Sequence, residues 1–358
     1  MKDRRIPVNG METFDLRPGY RISRVIRGGW QLAGGHGAVD RAQAVADLAA
    51  CADAGIVTFD CADIYTGVEE LIGEFRTAYA HRHGADALTR IKVHTKFVPD
   101  LELLPRINKD HVREIIDRSL QRLRMERLDL VQFHWWDYAI PGCVETAAWL
   151  DELRRAGKID LLGGTNFDTD HVERFAAAGI PMASVQVQYS LLDHRPEHGF
   201  IDACRRHRIS LLCYGSVAGG FLGERWLGAA EPRAPFENRS LTKYKLIIDD
   251  FGGWLLFQQL LQALGAIATR HGVDIATVAS RYVLDRPQVA AVIVGGRDRA
   301  HLAANRRIGG LRLTDRDRAD IAALLARRSG PSGDVFALER DRAGRHGSIM
   351  KYNLNKAS

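Results

Sequence analysis

The chain has 358 residues, 46% hydrophobic, 26% charged and 8% aromatic, with a formal net charge of +6. That composition supports a large folded core and excludes a disordered tail protein or a disulfide-stapled mini-domain. No apolar run approaches the ~18 residues of a membrane span, and the N-terminal MKDRRIPVNGMETFDL lacks the hydrophobic stretch of a secretory signal. A soluble, cytoplasmic protein is the expectation. Cys51, Cys61, Cys143, Cys204 and Cys213 are scattered and never spaced C-x-x-C, which fits a reducing compartment and argues against a zinc site or a disulfide framework. Basic residues are interleaved with acidic ones, so the positive balance points to a solvated surface and an anionic small ligand, with no nucleic-acid partner and no membrane. Oligomeric state stays open.

Short apolar runs at 22–26, 56–59, 91–95, 128–133, 159–162, 182–187, 209–213 and 289–294 read as strands. Several are apolar nearly throughout, as expected of strands covered on both faces. Helical periods alternate with them. Val45, Leu48, Ala49 and Ala52 keep helical spacing, with Asp40 as cap and Gly55 as stop. Val112, Ile115, Ile116, Leu120 and Leu123 repeat the pattern after Asp110. A helix over 146–156 stops at Gly157, and one over 201–208 opens with Pro196 in its first turn. Residues 215–250 read as a long loop, and Thr314 with Asp317 as a capping box for the last helix.

Eight strands in βα alternation form either a closed barrel or a doubly wound sheet. The doubly wound dinucleotide fold wants G-x-G-x-x-G after its first strand, whereas here Arg-Gly-Gly-Trp-Gln-Leu-Ala-Gly-Gly follows. The predicted fold is therefore α/β, a (β/α)8 TIM barrel over residues 1–330, with a polar tail, 331–358, packing on or near it.

Such barrels carry their chemistry at the C-terminal ends of the strands. Strand two ends in Asp60, with Tyr65 five residues on; strand three ends in Lys96 and strand four in His134. Strand five ends in Thr165–Asn166, strand six carries Gln186 and Tyr189, strand seven ends in Tyr214, and strand eight in Gly295–Gly296–Arg297. Three successive strands ending in ionisable groups, with opposite charges able to pair, point to catalysis. His194 and His198 are four apart but have Pro196 between them and no acidic third ligand, so no metal site is expected. Phe251 and Phe257 read as core.

The runs GIVTFDCADIY, HTKF, LDLVQFH, GGTNF and QVQYSLL, in that order between about residues 20 and 328, resemble the aldo-keto reductase family, and within it the aryl-alcohol dehydrogenase-like, NADP-dependent oxidoreductases of bacteria and fungi. The resemblance implies an NAD(P)H-dependent carbonyl reductase, reversible as an alcohol dehydrogenase and working without a metal, with Asp60, Tyr65, Lys96 and His134 as the catalytic tetrad. Those residue types suit the reaction. Protonating the alkoxide needs a general acid; Lys96 should lower the Tyr65 pKa, Asp60 should fix Lys96, and His134 should orient and polarise the substrate oxygen.

On the cofactor side, Thr165, Asn166 and Gln186 can bond the nicotinamide carboxamide, and Tyr214 can stack on its ring. Gly29 and Trp30 should approach the cavity, and the loop with Gly215, Ser216, Val217, Gly219 and Gly220 should let the backbone meet the pyrophosphate. The run VGGRDRAHLAANRR is similar to the family's adenosine-phosphate clamp, which implies Gly295, Gly296 and Arg297 at a 2′-phosphate and His301 and Asn305 near the adenine and ribose. A Lys-Ser pair often opens that clamp, and here both positions are glycine; Arg297 favours NADPH, with NADH possible. Trp30, Trp135, Trp136 and Tyr138 predict an aromatic-lined substrate mouth, with Trp30, Tyr65, His134 and Trp135 touching substrate. The competing reading is a cofactor-binding regulatory subunit of the potassium-channel β type, with little turnover.

Overall fold

The structure is a computed structural model that describes residues 10–33, 39–296 and 298–355. It opens with an antiparallel hairpin, β1 (Thr13–Arg17) and β2 (Tyr20–Ser23). Eight parallel strands then close into a barrel: β3 (Val25–Gly28), β4 (Thr58–Asp60), β5 (Lys92–Phe97), β6 (Leu128–Phe133), β7 (Ile159–Thr165), β8 (Met182–Gln188), β9 (Ser210–Tyr214) and β10 (Val289–Val294). β10 pairs with both β9 and β3, which completes the ring.

Around it run α1 (Arg41–Asp53), α2 (Val68–His83), α3 (Lys109–Leu123), α4 (Cys143–Arg155), α5 (Thr169–Ala177), α6 (Phe200–Arg206), α7 (Arg239–Phe251), α8 (Gly253–His271), α9 (Ile275–Leu284), α10 (Leu302–Gly310), α11 (Asp315–Leu325) and the short α12 (Ala337–Arg340). Among the described residues no single helix is long and apolar enough to cross a membrane.

Two apolar regions follow from this geometry. The larger one lies between the barrel's outer face and its helices and takes in Phe59, Phe133, Phe175, Phe251 and Phe257. The smaller one fills the barrel's interior, where Ile26, Leu130, Ala183, Leu212 and Ala291 meet Leu16, Tyr20 and Ile22 of the hairpin. The hairpin thus plugs the N-terminal end of the barrel and leaves the C-terminal end open. Strands covered on both faces have no polar side to show, and every residue of β8 is buried.

Helix signals read from the sequence are met in detail. Asp40 Oδ1 accepts the Gln43 amide at 3.1 Å. Thr314 and Asp317 bond each other's backbone amides reciprocally.

Four expectations are corrected. The run 22–26 is two strands, because the chain leaves the hairpin after Ser23 and enters the barrel at Val25. The cap of α3 is Asn108, whose side chain takes the amides of Asp110 and His111. Pro196 sits in a separate single turn before α6. Residues 215–250 are not all loop: their second half is α7, which buries Leu241, Tyr244, Ile247, Ile248 and Phe251 along one stripe.

The segment after α11 crosses the open end of the barrel. Asp250 on α7 pairs with Arg345 and, at 2.7 Å, with His346. At the other side Asp100 Oδ1 accepts the Leu354 and Asn355 amides at 2.9 and 3.0 Å, and the Tyr352 carbonyl accepts the Leu101 amide at 2.9 Å.

Candidate active site

The strand ends open into a cavity of about 1090 Å³. At its floor Asp60, Lys96, Gln132 and Gln186 form one buried network. Lys96 Nζ donates to Asp60 Oδ1 at 2.5 Å and to the Cys61 carbonyl at 2.8 Å. Asp60 Oδ2 accepts from Gln132 Nε2 at 2.8 Å and from Gln186 Nε2 at 2.7 Å. All of these side chains come from the last inward-facing position of their strands, so strand pairing alone brings them together. Burial acts to lower the Lys96 pKa, but Asp60 and Tyr65 outweigh it and hold the ammonium above its ordinary value.

Tyr65 follows β4 on a half-buried turn, its ring centroid 5.1 Å from Lys96 Nζ and 5.1 Å from the Trp30 ring. The expectation that Lys96 lowers its pKa describes only part of the balance. Burial pushes the phenol above its ordinary value and Asp60 adds to this, while Lys96 pulls the other way without offsetting it.

His134 is buried, with Nδ1 3.0 Å from the Thr165 carbonyl. A carbonyl can only accept, so Nδ1 carries the hydrogen and a neutral ring keeps its lone pair on Nε2. Nε2 is buried with no partner among the described residues. Burial, and after it the charge of Arg340, push the imidazole pKa down to about 3.

Trp30, Thr165, Asn166, Gln186 and Tyr214 line the same cavity, as do Gly215, Val217 and Gly220. Tyr214 Oη donates to Asn166 Oδ1 at 2.9 Å. Gly220 has φ +101°, and a Cβ there would meet nothing within 4 Å, so the backbone is bare toward the cavity. Gly295, Gly296, His301 and Asn305 line its far end, and Arg297 lies outside the described residues.

Three expected residues stand elsewhere. Trp135 is fully buried, with Nε1 bonded to the Asp137 and Ile140 carbonyls. His134 faces the cavity, so its neighbour turns away into the core. Trp136 lines the mouth instead, edge-on to His134 with ring centroids 4.3 Å apart. Gly29 is behind the wall, its amide on the Asp60 carbonyl at 2.7 Å; a Cβ there would meet Val68 at 2.8 Å and that carbonyl at 2.9 Å. Ser216 is buried with its hydroxyl 3.1 Å from that of Ser280.

Sequence reading missed the wall supplied from α7 and the C-terminal segment: Lys243, Phe336, Ile349, Met350 and Leu354. Phe336 stands edge-on to His134 at 5.7 Å. The helical stripe of α7 was a usable signal for its part, whereas the C-terminal residues belong to no local pattern.

Known proteins carry the same plan. The Aldo/keto reductase family profile matches residues 24–326. Aldo-keto reductase YhdN of Bacillus subtilis (strain 168) is 29% identical over 324 residues, 89% of this chain and 95% of its own. The NADH-specific methylglyoxal reductase of Escherichia coli (strain K12) is 25% identical over 230 residues, 62% of this chain and 66% of its own. The glycerol dehydrogenase structure from Gluconobacter oxydans superposes with a TM-score of 0.71 at 24% identity, over 93% of this chain and 97% of that one. A match to the family profile that begins at the first barrel strand and runs past the last one covers the whole architecture, and the chain belongs to the aldo/keto reductase family.

Proposed function

We propose that the protein is an NAD(P)H-dependent oxidoreductase that interconverts an aldehyde or ketone with its alcohol, Tyr65 being the general acid and base. The observation that carries this is the Asp60–Lys96 pair set 5.1 Å beneath the Tyr65 ring at the floor of the cavity.

The cavity has room for a dinucleotide and a small substrate together. Its residues fit such a cofactor: bare backbone at Gly220, the Tyr214 ring held by Asn166, and glycines at 295 and 296. Tyr214, Asn166 and Gln186 would hold the nicotinamide end. Gly215, Val217 and Gly220 would meet the pyrophosphate, and Gly295, Gly296, Arg297, His301 and Asn305 the adenosine end. The amide nitrogen of Gln186 is already spent on Asp60, which leaves its oxygen for the carboxamide. When bound, the cofactor supplies or accepts the hydride.

The chain's own residues handle the proton. Tyr65 Oη donates to the substrate oxygen as charge develops there, and Lys96 stabilises the phenolate left behind. Asp60 keeps Lys96 charged and aimed. His134, with its lone pair on Nε2, grips the hydroxyl of the alcohol form and so orients the substrate oxygen; as a neutral ring in this tautomer it does not polarise a carbonyl. Trp30, Trp136, Phe336 and Met350 give the mouth an apolar, aromatic character suited to carbonyls with apolar substituents.

Titration with NADPH and NADH, followed by tryptophan fluorescence, tests the binding half: saturable quenching is expected, tighter for NADPH. A panel of aromatic aldehydes, sugars and ketones then tests turnover. A protein that binds cofactor but turns over none of them, and is indifferent to Tyr65→Phe, would be a regulatory binding module.

A further inference from the structure

The C-terminal segment contributes more than a wall. Arg340, at the end of α12, reaches four acceptors with one guanidinium. Nη1 donates to the Trp135 and Trp136 carbonyls at 2.5 and 2.9 Å, and Nη2 to Tyr138 Oη at 2.6 Å and the Asn166 carbonyl at 2.7 Å. The same group lies 3.7 Å from the Tyr138 ring centroid and 5.4 Å from that of Phe336.

These acceptors belong to the two strand ends that matter most. Trp135 and Trp136 directly follow His134, and Asn166 directly follows Thr165, whose carbonyl fixes the His134 tautomer. Asn166 has φ +61°, a strained backbone for a non-glycine residue, and Arg340 holds the carbonyl of that residue. Asn166 in turn orients Tyr214 through its side-chain oxygen.

One fork therefore fastens the substrate-oxygen side of the site to the nicotinamide side, from a point 174 residues beyond Asn166 in the chain. The opposite anchor is next to it: Glu339, buried, pairs with Arg195 at 2.8 Å and with Lys243 at 3.5 Å. The guanidinium geometry is essential to this task, because a lysine ammonium offers one point charge on a flexible stem and cannot serve four acceptors in fixed directions.

We infer that Arg340 is a positioning residue of the active site, a clamp between the ends of β6 and β7 that sets the His134 imidazole and the Asn166–Tyr214 pair at their working distances. The inference rests on the functional reading above for what those residues do, and on geometry alone for the clamp.

The test uses Arg340→Met and Arg340→Lys in the full chain, with Arg345→Ala as control, since Arg345 fastens the same segment to Asp250 on its outer side. Arg340→Met should lose about 10–100-fold in kcat, the scale of a displacement near 1 Å, while cofactor affinity stays within about threefold. Millimolar guanidinium should restore part of the loss, and Arg345→Ala should keep near wild-type kcat.

A second readout needs no substrate. The 15N signals of the His134 ring, assigned by His134→Gln, should show hydrogen on Nδ1 in the wild type. In Arg340→Met its titration should move to higher pH, because a depressing positive charge is gone; Asp60 and Lys96 face the same cavity and stay in place in both proteins.

Unchanged kcat together with an unchanged His134 titration in Arg340→Met overturns the inference. So does an equal loss in Arg345→Ala, which would make Arg340 a mere fastening of the segment. If Arg340→Met does not fold, Arg340→Lys, with the charge but not the fork, carries the same comparison. If the wild type turns over no carbonyl, the functional reading fails, and the His134 spectra still decide the clamp.

Discussion

Lys96 and His94 lie two residues apart on the inward face of β5, as do Gln186 and Ser184 on β8, so the barrel holds an upper and a lower polar layer with the same strand origins. The upper layer is wired: Lys96, Asp60, Gln132 and Gln186 bond one another at 2.5–2.9 Å. In the lower layer both ring nitrogens of His94, the Ser184 hydroxyl and the Tyr20 hydroxyl have no partner among the described residues. Both layers are equally removed from solvent. The difference teaches that burial by itself does not make a buried polar group functional; what distinguishes the upper layer is mutual satisfaction, which fixes each atom in position.

The largest expected effect is on the reacting group above the wired layer. Tyr65→Phe should lower kcat by about 10³-fold or more, within the range for removal of a general acid, and leave cofactor affinity nearly unchanged; steady-state rates beside fluorescence titration check it. An effect on affinity as large as that on rate would instead make Tyr65 a binding residue.

Next comes the network itself. Lys96→Met leaves the Asp60 carboxylate buried without its cation and should cost about 3–5 kcal/mol of stability. The double variant Asp60→Asn/Lys96→Met should recover part of that in denaturant unfolding, with turnover still lost. Full additivity of the two single variants would mean the pair is not coupled.

Adjacent tryptophans sharpen the contrast outside the barrel. Trp135→Ala should destabilise by about 3 kcal/mol or more through the cavity it leaves, whereas Trp136→Ala should mainly raise substrate KM.

The smallest effect belongs to the unwired layer. Burial, then Lys96 and Lys92, push the His94 pKa down to about 3, so the folded protein holds this ring neutral while the unfolded chain protonates it near 6.5. Stability should therefore fall as pH drops from about 6.5 toward 3, by about 1.4 kcal/mol per pH unit for this group. His94→Leu should make that acid limb shallower and add about 1 kcal/mol at pH 7 by removing unsatisfied polar atoms. Loss of activity in His94→Leu would break the comparison, since it would show the lower layer coupled to the upper one.

How much of this was legible follows from how local each signal is. The barrel strands announce themselves as apolar runs, and because strand ends converge in such a barrel, reading the residue after each run placed Asp60, Lys96, His134, Thr165 and Tyr214 around one cavity. The choice between Trp135 and Trp136 turned on parity, and counting alternate residues from His134 would have settled it. Gly29 and Ser216 adjoin cavity residues in sequence, yet their side positions point into packing. Arg340 and Phe336 had no such handle: their partners are fixed by how the last segment crosses the barrel, and no periodicity in a polar stretch encodes that path.

That crossing separates the fate of the site from the fate of the fold. The hydrogen-bonded ring is complete once β10 meets β3, at Val292–Val294, and contains nothing from beyond residue 330. The site, in contrast, takes atoms from Trp30 to Leu354. Heating or limited digestion should consequently release the C-terminal segment first, so that catalysis disappears at a lower temperature than barrel circular dichroism, and inactive protein with an intact barrel accumulates between the two transitions.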